Sequence, residues 1–406
     1  MPVDLPRNAD VVIVGAGPAG LAAATALCAE GVANVVVLER ESQAGGIPRH
    51  CGHYPYGLRE YRRLLKGPAY AARLVEAARA AGVRILTNIT VTALHPGPRL
   101  SITGPDGPTR ISAQIILLAT GARETSRAAR LIGGTKPGGV LSTGALQGMV
   151  YLNHQRPFQN PVILGTELVA FSAIMTCGHL GIRPVAMIEP GPRATAPFPS
   201  ALYPRLRGIP LHLNTDLLAI HGQTRVTGVT LRKGARTWQQ ACDGVIVSGQ
   251  FRPDNALLLA SHLARDPATL GPEVDQYGRC SDPGYFAAGN LLRAVETAGR
   301  CWAEGRAVAL AVARALKGGL PADKGIRITA TGSALKYALP QRLSPGSDAA
   351  LPVLQLRVTH PFRGQITISA GGRTTAHRIN ALPERRITLP LPAAHGPVSL
   401  HLEPEP

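Results

Sequence analysis

Aromatic side chains are scarce in this sequence: Phe, Trp and Tyr make up 4% of its 406 residues. Surfaces that stack nucleic-acid bases need aromatic faces set among clustered basic residues. The chain is basic, with 43 Lys and Arg against 25 Asp and Glu and a formal charge of +18. Its arginines are scattered and its lysines few, so no basic block forms. This argues against a nucleic-acid partner and reads as a compositional bias of an Ala-, Arg-, Gly- and Pro-rich chain. An anionic substrate or acidic partner would still be served by electrostatic steering. Paired cysteines are also lacking. Cys28, Cys51, Cys177, Cys242, Cys280 and Cys301 form no CxxC or CxxxxC pair and no metal-ligand spacing. That excludes a dithiol relay and gives no metal site, and scattered single cysteines suit a reducing compartment. The polar run before the first apolar segment leads us to expect no secretory leader. The one run long enough to mimic a membrane span, Val11 to Ala29, carries a glycine pattern with a different meaning. The expectation is a cytoplasmic protein with no integral membrane segment.

That glycine pattern organises the chain. Asp10-Val-Val-Ile-Val14 is a short β-branched run suited to a parallel strand buried on both faces. Gly15-Ala-Gly17-Pro18-Ala19-Gly20 follows, then a helical run to Glu30 stopped by Gly31, then a second buried strand, Val35 to Leu38, closed by Glu39. Strand, glycine turn, helix, strand and acid make the dinucleotide-binding βαβ fingerprint. Gly15 permits the tight turn, Gly17 admits a pyrophosphate, and Gly20 lets helix and strand pack closely. Free N–H groups at the helix start would hold the phosphate charge. Glu39, about 20 residues past the last glycine, can accept from a ribose 2′-OH.

The design recurs 150 residues later. Pro161-Val-Ile-Leu-Gly165 opens a second strand and turn, Gly181 punctuates the helix end, and Val185 to Glu189 closes the unit. Each unit places its acid 24 residues after its first glycine. The second phosphate turn is altered, however. Gly165-Thr-Glu167-Leu-Val-Ala170 puts Glu167 where Gly17 sits and Ala170 where Gly20 sits. Alanine is tolerated at the last position. Glutamate adds bulk, and two like charges about 4 Å apart cost about 4 kcal/mol at an effective dielectric near 20. The helix dipole would stabilise that carboxylate where a pyrophosphate would otherwise lie. The unit is therefore expected to serve architecture, with NAD(P) binding weak or absent.

The loop Gly45-Gly46-Ile-Pro-Arg49-His50-Cys51-Gly-His53-Tyr-Pro-Tyr56-Gly57 follows the second strand. His50, Cys51 and His53 could act as acid, base or ligand, or the loop could simply order a cofactor. Pro68 to Gly82 reads as an amphipathic helix. Ile115 to Ala119 is a strand running into Thr120-Gly121-Ala122-Arg123, and Tyr285-Phe-Ala-Ala-Gly289-Asn290 is another, followed by Glu296 to Gly299 and a helix from Trp302 to Leu316. From about Gly325, alternating runs at Leu354–Val358, Gln365–Ser369, Arg386–Leu391 and Val398–Leu402 suggest a small all-β unit of sandwich type, used for docking or dimerisation.

Taken in this order, the marks resemble the two-dinucleotide-binding-domain flavoproteins of the pyridine nucleotide-disulfide oxidoreductase superfamily, over roughly Asp10 to Lys317. Gly45 to His53, with Gly67-Pro68-Ala69-Tyr70, looks like a bacterial FAD/NAD(P)-binding group typified by dehydrogenase subunits related to glycerol-3-phosphate and opine oxidation. The resemblance implies an α/β fold of two Rossmann-like domains, the second inserted in the first, plus a C-terminal all-β domain. The expected boundaries are 1–125 with 252–320, 126–251, and 325–406. It implies FAD in the first domain: Gly15, Gly17, Pro18, Ala19 and Gly20 at the pyrophosphate, Glu39 and Arg40 at the adenosine ribose, and Val91 beside the adenine. Gly46, Ala119, Thr120, Gly121, Gly289, Asn290 and Thr297 would line the rest of the cofactor. The family usually has Asp after the glycine at 289; Asn290 keeps an acceptor and loses the charge. The implied activity is FAD-dependent hydride or electron transfer between a small organic substrate, or a partner dehydrogenase subunit, and an acceptor. An NAD(P)H-dependent flavin reductase and a non-catalytic scaffold within a dehydrogenase complex are the alternatives, and a homodimer is a further possibility.

Overall fold

The structure, a computed structural model, describes residues 6–346, 348–393 and 396–405. The first sheet forms around β1 (Asn8–Val14). Helix α1 (Pro18–Ala29) returns the chain to β2 (Val35–Leu38), and α2 (Gly67–Ala80) to β3 (Arg84–Leu86). Strands β4 (Thr90–His95) and β5 (Arg99–Gly104) form an antiparallel excursion, and the long β6 (Gly107–Leu118) brings the chain back beside β1. The order is β3-β2-β1-β6-β5-β4, with β1, β2 and β3 parallel and Val12 opposite both Val36 and Ile116. β1 and β2 are buried on both faces, as their uninterrupted apolar runs require.

A second parallel sheet follows, with strands β7 (Val140–Ser142), β8 (Pro161–Leu164), β9 (Ala186–Glu189), β10 (Leu211–Leu213) and β11 (Gly244–Val247) in the order β10-β9-β8-β11-β7. Helix α3 (Leu168–His179) connects β8 to β9. The chain leaves and re-enters the first unit through two short strands, Ala122–Arg123 against Arg252–Pro253. It then supplies β12 (Tyr285–Ala287), parallel to β6, and the long helix α4 (Ala298–Leu316), which packs against α1. Gly305 makes that packing close, because a Cβ there would overlap the Ala19 backbone.

Beyond residue 325 the chain is β-structure in a five-stranded and a three-stranded sheet. Leu354, Leu356 and Val358 of one pack with Ile366, Ile368, Leu400 and Leu402 of the other in a single core. The period-2 burial of Phe362–Ala370 and Val398–Pro404 is that of strands with one wet face. Among the described residues no helix is long and apolar enough to cross a membrane.

Candidate active site

Both βαβ turns are fixed by the equivalent glycine hydrogen bond, and each closing acid is held at its own turn. Gly15 N–H donates to Leu38 O at 2.9 Å, and Gly165 N–H to Ile188 O at 2.8 Å. Glu39 accepts from Ala16 N–H (3.0 Å) and Glu41 N–H (2.9 Å); Glu189 accepts from the Thr166 hydroxyl and from Gly191 N–H (2.9 Å). Each acid is thereby fixed under its own turn. Gly15 has φ +105°, a conformation that suits glycine, and a Cβ on Gly20 would overlap the Gly15 carbonyl oxygen. Gly20 therefore seats the helix on the sheet and does not face the cleft.

The turns part company one residue on. Gly17 begins α1 with no capping side chain, and a Cβ there would meet nothing within 4 Å. Pro18 takes the first helical position, where its missing N–H costs nothing. The space in front of Gly17 belongs to a cleft of about 2640 Å³. In the second unit the Glu167 carboxylate folds back over its own turn. Its Oε1 accepts from Gln250 N–H at 3.2 Å, its Oε2 is buried without a hydrogen-bond partner, and it occupies the space beside Gly165 and Gly249. Burial raises its pKa. Arg130, itself held by the Ser248 and Gly249 carbonyls at 2.7 and 2.5 Å, offsets this in part.

The cleft brings most of the expected positions together. Gly15, Gly17, Pro18, Ala19, Glu39, Arg40, Gly46, Val91, Ala119, Thr120, Gly121, Asn290 and Thr297 all line it. Gly289 sits behind them, its N–H donating to Glu304 at 2.7 Å, and Glu304 is paired with buried Arg293. The Asn290 side chain is already engaged: Oδ1 accepts from Glu296 N–H (2.7 Å) and Nδ2 donates to Glu296 O (3.1 Å), closing the loop into α4.

His50, Cys51 and His53 also line the cleft, with unequal prospects. Cys51 is 4% exposed, its thiol lies 3.4 Å from the Ile47 carbonyl and the Gln147 Oε1, and burial pushes its pKa up to about 11. It is a packed thiol, unsuited to acid–base or nucleophilic work near neutral pH. Burial, aided by Arg49, lowers the His50 pKa to about 4, and its Nδ1 is buried without a hydrogen-bond partner. His53 is also shifted down by burial, and its Nδ1 lies 2.9 Å from the Tyr54 carbonyl. As the neutral tautomer that donates there, it keeps a free lone pair on Nε2.

Glu124 and Gln147 escaped the sequence reading. Glu124 accepts from Gly144 N–H (2.8 Å) and Gly249 N–H (2.9 Å), tying the linker to the second unit, and burial raises its pKa. Gln147 joins Cys51 to Ser172. Only the position of Glu124 directly after the Thr120 to Arg123 turn could have signalled it.

Two Rossmann units, one inserted in the other, with an open glycine turn facing a long cleft, define a two-dinucleotide-domain flavoprotein fold. The chain belongs to the pyridine nucleotide-disulphide oxidoreductase family, whose pattern matches residues 9–305. Among curated relatives it is 29% identical over 291 residues to thioredoxin reductase of Treponema pallidum (strain Nichols), covering 70% of this chain and 88% of that one. It is 27% identical over 265 residues to one of the subunits of opine oxidase from Rhizobium meliloti (strain 1021), covering 63% of this chain and about half (55%) of that relative. Among solved structures, thioredoxin reductase of T. acidophilum superposes with a TM-score of 0.64 at 22% identity, covering 76% of this chain and 99% of that one. This likeness bears on the fold. The family binds FAD and NAD(P). The first turn fits a dinucleotide, with open space at Gly17, an uncapped helix start and a fixed acid at Glu39.

Proposed function

We propose that the chain is an FAD-dependent oxidoreductase passing hydride or electrons between a small organic substrate, or a partner dehydrogenase subunit, and an acceptor, without using NAD(P)H directly. The carrying observation is the contrast at the two helix starts, where Gly17 presents no side chain to the cleft and Glu167 presents a carboxylate. Gly17 and Ala19 would hold the pyrophosphate against the N-terminus of α1, and Glu39 the ribose. Bound FAD supplies the redox chemistry. His53 Nε2 is the acceptor best placed to take a proton from substrate, with its ring oriented by the Tyr54 carbonyl. His50 stays neutral around pH 7 and Cys51 keeps its proton, so neither brings charge to the cleft. Kinship with an opine oxidase component that is itself one of several chains favours a role within an assembly. The sandwich would then be the docking element.

An absorbance spectrum and an anaerobic titration test this. The purified chain should be yellow, should stay oxidised under stoichiometric NADH, and should be bleached by an organic donor or a reduced partner protein. Rapid bleaching by NADH would show the second unit to be functional and would favour the flavin-reductase alternative. Colourless protein that takes up no FAD would favour the scaffold role.

A further inference from the structure

One wall of the cleft is built by neither nucleotide-binding unit. The C-terminal sandwich turns Lys336, Arg357 and Arg386 onto it, from a segment beyond the family match. Arg357 and Arg386 gather at Glu296, directly before Thr297 at the start of α4, and Lys336 neighbours Arg357. Arg357 Nη2 donates to the Val295 carbonyl at 2.9 Å and lies 3.6 Å from the buried Glu296 carboxylate. Arg386 Nε lies 3.8 Å from the same carboxylate, and Arg300 Nε 3.6 Å. These separations are long for hydrogen bonds, and Glu296 Oε1 and Arg357 Nε are both buried without a hydrogen-bond partner. One carboxylate thus faces three guanidinium groups, with the Lys336 ammonium alongside. Lys336 has no anionic partner among the described residues, and its pKa is lowered by burial and by Arg357. Arg357 and Arg386 are 12% and 17% exposed, and cations so far from bulk water are normally paired, so this corner has unspent capacity for negative charge, with Lys336 and Arg300 at its wetter edge. It is one loop away from the expected flavin surface, because Asn290 clips Glu296 at both backbone groups.

We propose that this corner binds the carboxylate or phosphate group of a small organic anion, and that the sandwich thereby sets the substrate class of the redox site. The inference rests on the FAD-dependent reading of the cleft. Guanidinium forks accept either group bidentately, and the ammonium adds a point charge. The positive end of α4 reinforces them. The C-terminal unit is then a wall of the substrate pocket, in addition to any docking role.

The test is calorimetric titration of the purified flavoprotein with succinate and, separately, with inorganic phosphate, against sodium chloride at equal ionic strength. An absorbance spectrum of each sample records flavin content. Saturable binding of either anion, weakened about tenfold by Lys336→Met or Arg386→Met at unchanged flavin content, is expected from the loss of one charge-assisted contact. The tighter of the two anions tells carboxylate from phosphate. Yellow protein that binds neither anion beyond the chloride control, or variants that bind as tightly as the parent, would overturn this proposal alone. Colourless protein would overturn the flavin reading, and this inference with it.

Discussion

The two βαβ turns of this chain share their first glycine, their acid and the backbone hydrogen bond that sets each glycine, yet present different groups to their ligand space. Gly17 puts no side chain before α1; Glu167, at the same place before α3, sets its carboxylate beside Gly165 and Gly249. The difference separates two things that a fingerprint usually reports together. Gly15 and Gly165, with the buried strands beside them, make the architecture. The residue two positions on sets what an approaching anion meets, which is bare backbone at Gly17 and a carboxylate at Glu167.

Moving the second turn's residue into the first should break the contrast most sharply. Gly17→Glu places like charges near contact, at about 4 kcal/mol or roughly a thousandfold in FAD affinity. The apo-protein should melt unchanged, since a Cβ at Gly17 meets nothing within 4 Å. Flavin content and apo-protein melting temperature check this together; retained colour would sink the account of the first turn. Next in size is Gly20→Ala. The second unit carries Ala170 at this position, but here the added methyl overlaps the Gly15 carbonyl oxygen. We expect a loss of about 3 kcal/mol by denaturant unfolding of the apo-protein, whereas Ala170→Gly should cost only about 1 kcal/mol.

A third effect lies in pH. Burial holds the pKa of His50 at about 4, below its ordinary 6.5. The unfolded chain takes up this proton near pH 6.5 and the folded chain only near pH 4. Stability on this account is therefore full above pH 6.5 and falls away between 6.5 and 4, by about 3 kcal/mol. His50→Gln should flatten that part of the apo-protein stability curve. Smallest is Glu167→Gly, which removes the carboxylate from the second turn and should tighten NADH binding by about tenfold, read by calorimetry. No gain would mean that Glu167 is not what closes the unit.

The sequence made the nucleotide units legible because their signals are local: β-branched runs, glycines at fixed spacing, and an acid at the end of the second strand. The alternation that marks Phe362–Ala370 and Val398–Pro404 as half-buried strands is equally local. What could not be read depends on distant contacts. Cys51 looked reactive beside two histidines, and only the fold shows it packed against Gln147, 96 residues away. Asn290 reads as a ribitol acceptor, and only the fold shows its amide also clipping Glu296 at both backbone groups. Glu124 carries no motif of its own, and Arg357 and Arg386 become neighbours of Glu296 only once the sandwich has docked.

The sandwich is joined to the inserted unit as well. Arg193 meets Glu384 through two parallel hydrogen bonds, at 2.9 and 3.0 Å. A swing of the inserted unit about its two-stranded hinge at Arg123 and Arg252 would have to part this pair while Glu296 kept its grip on the other flank. The arginine is 41% exposed, and a bridge as wet as that is worth about 1 kcal/mol or less. Parting it would shift an equilibrium by less than tenfold, so at this point the sandwich and the inserted unit are held together only lightly.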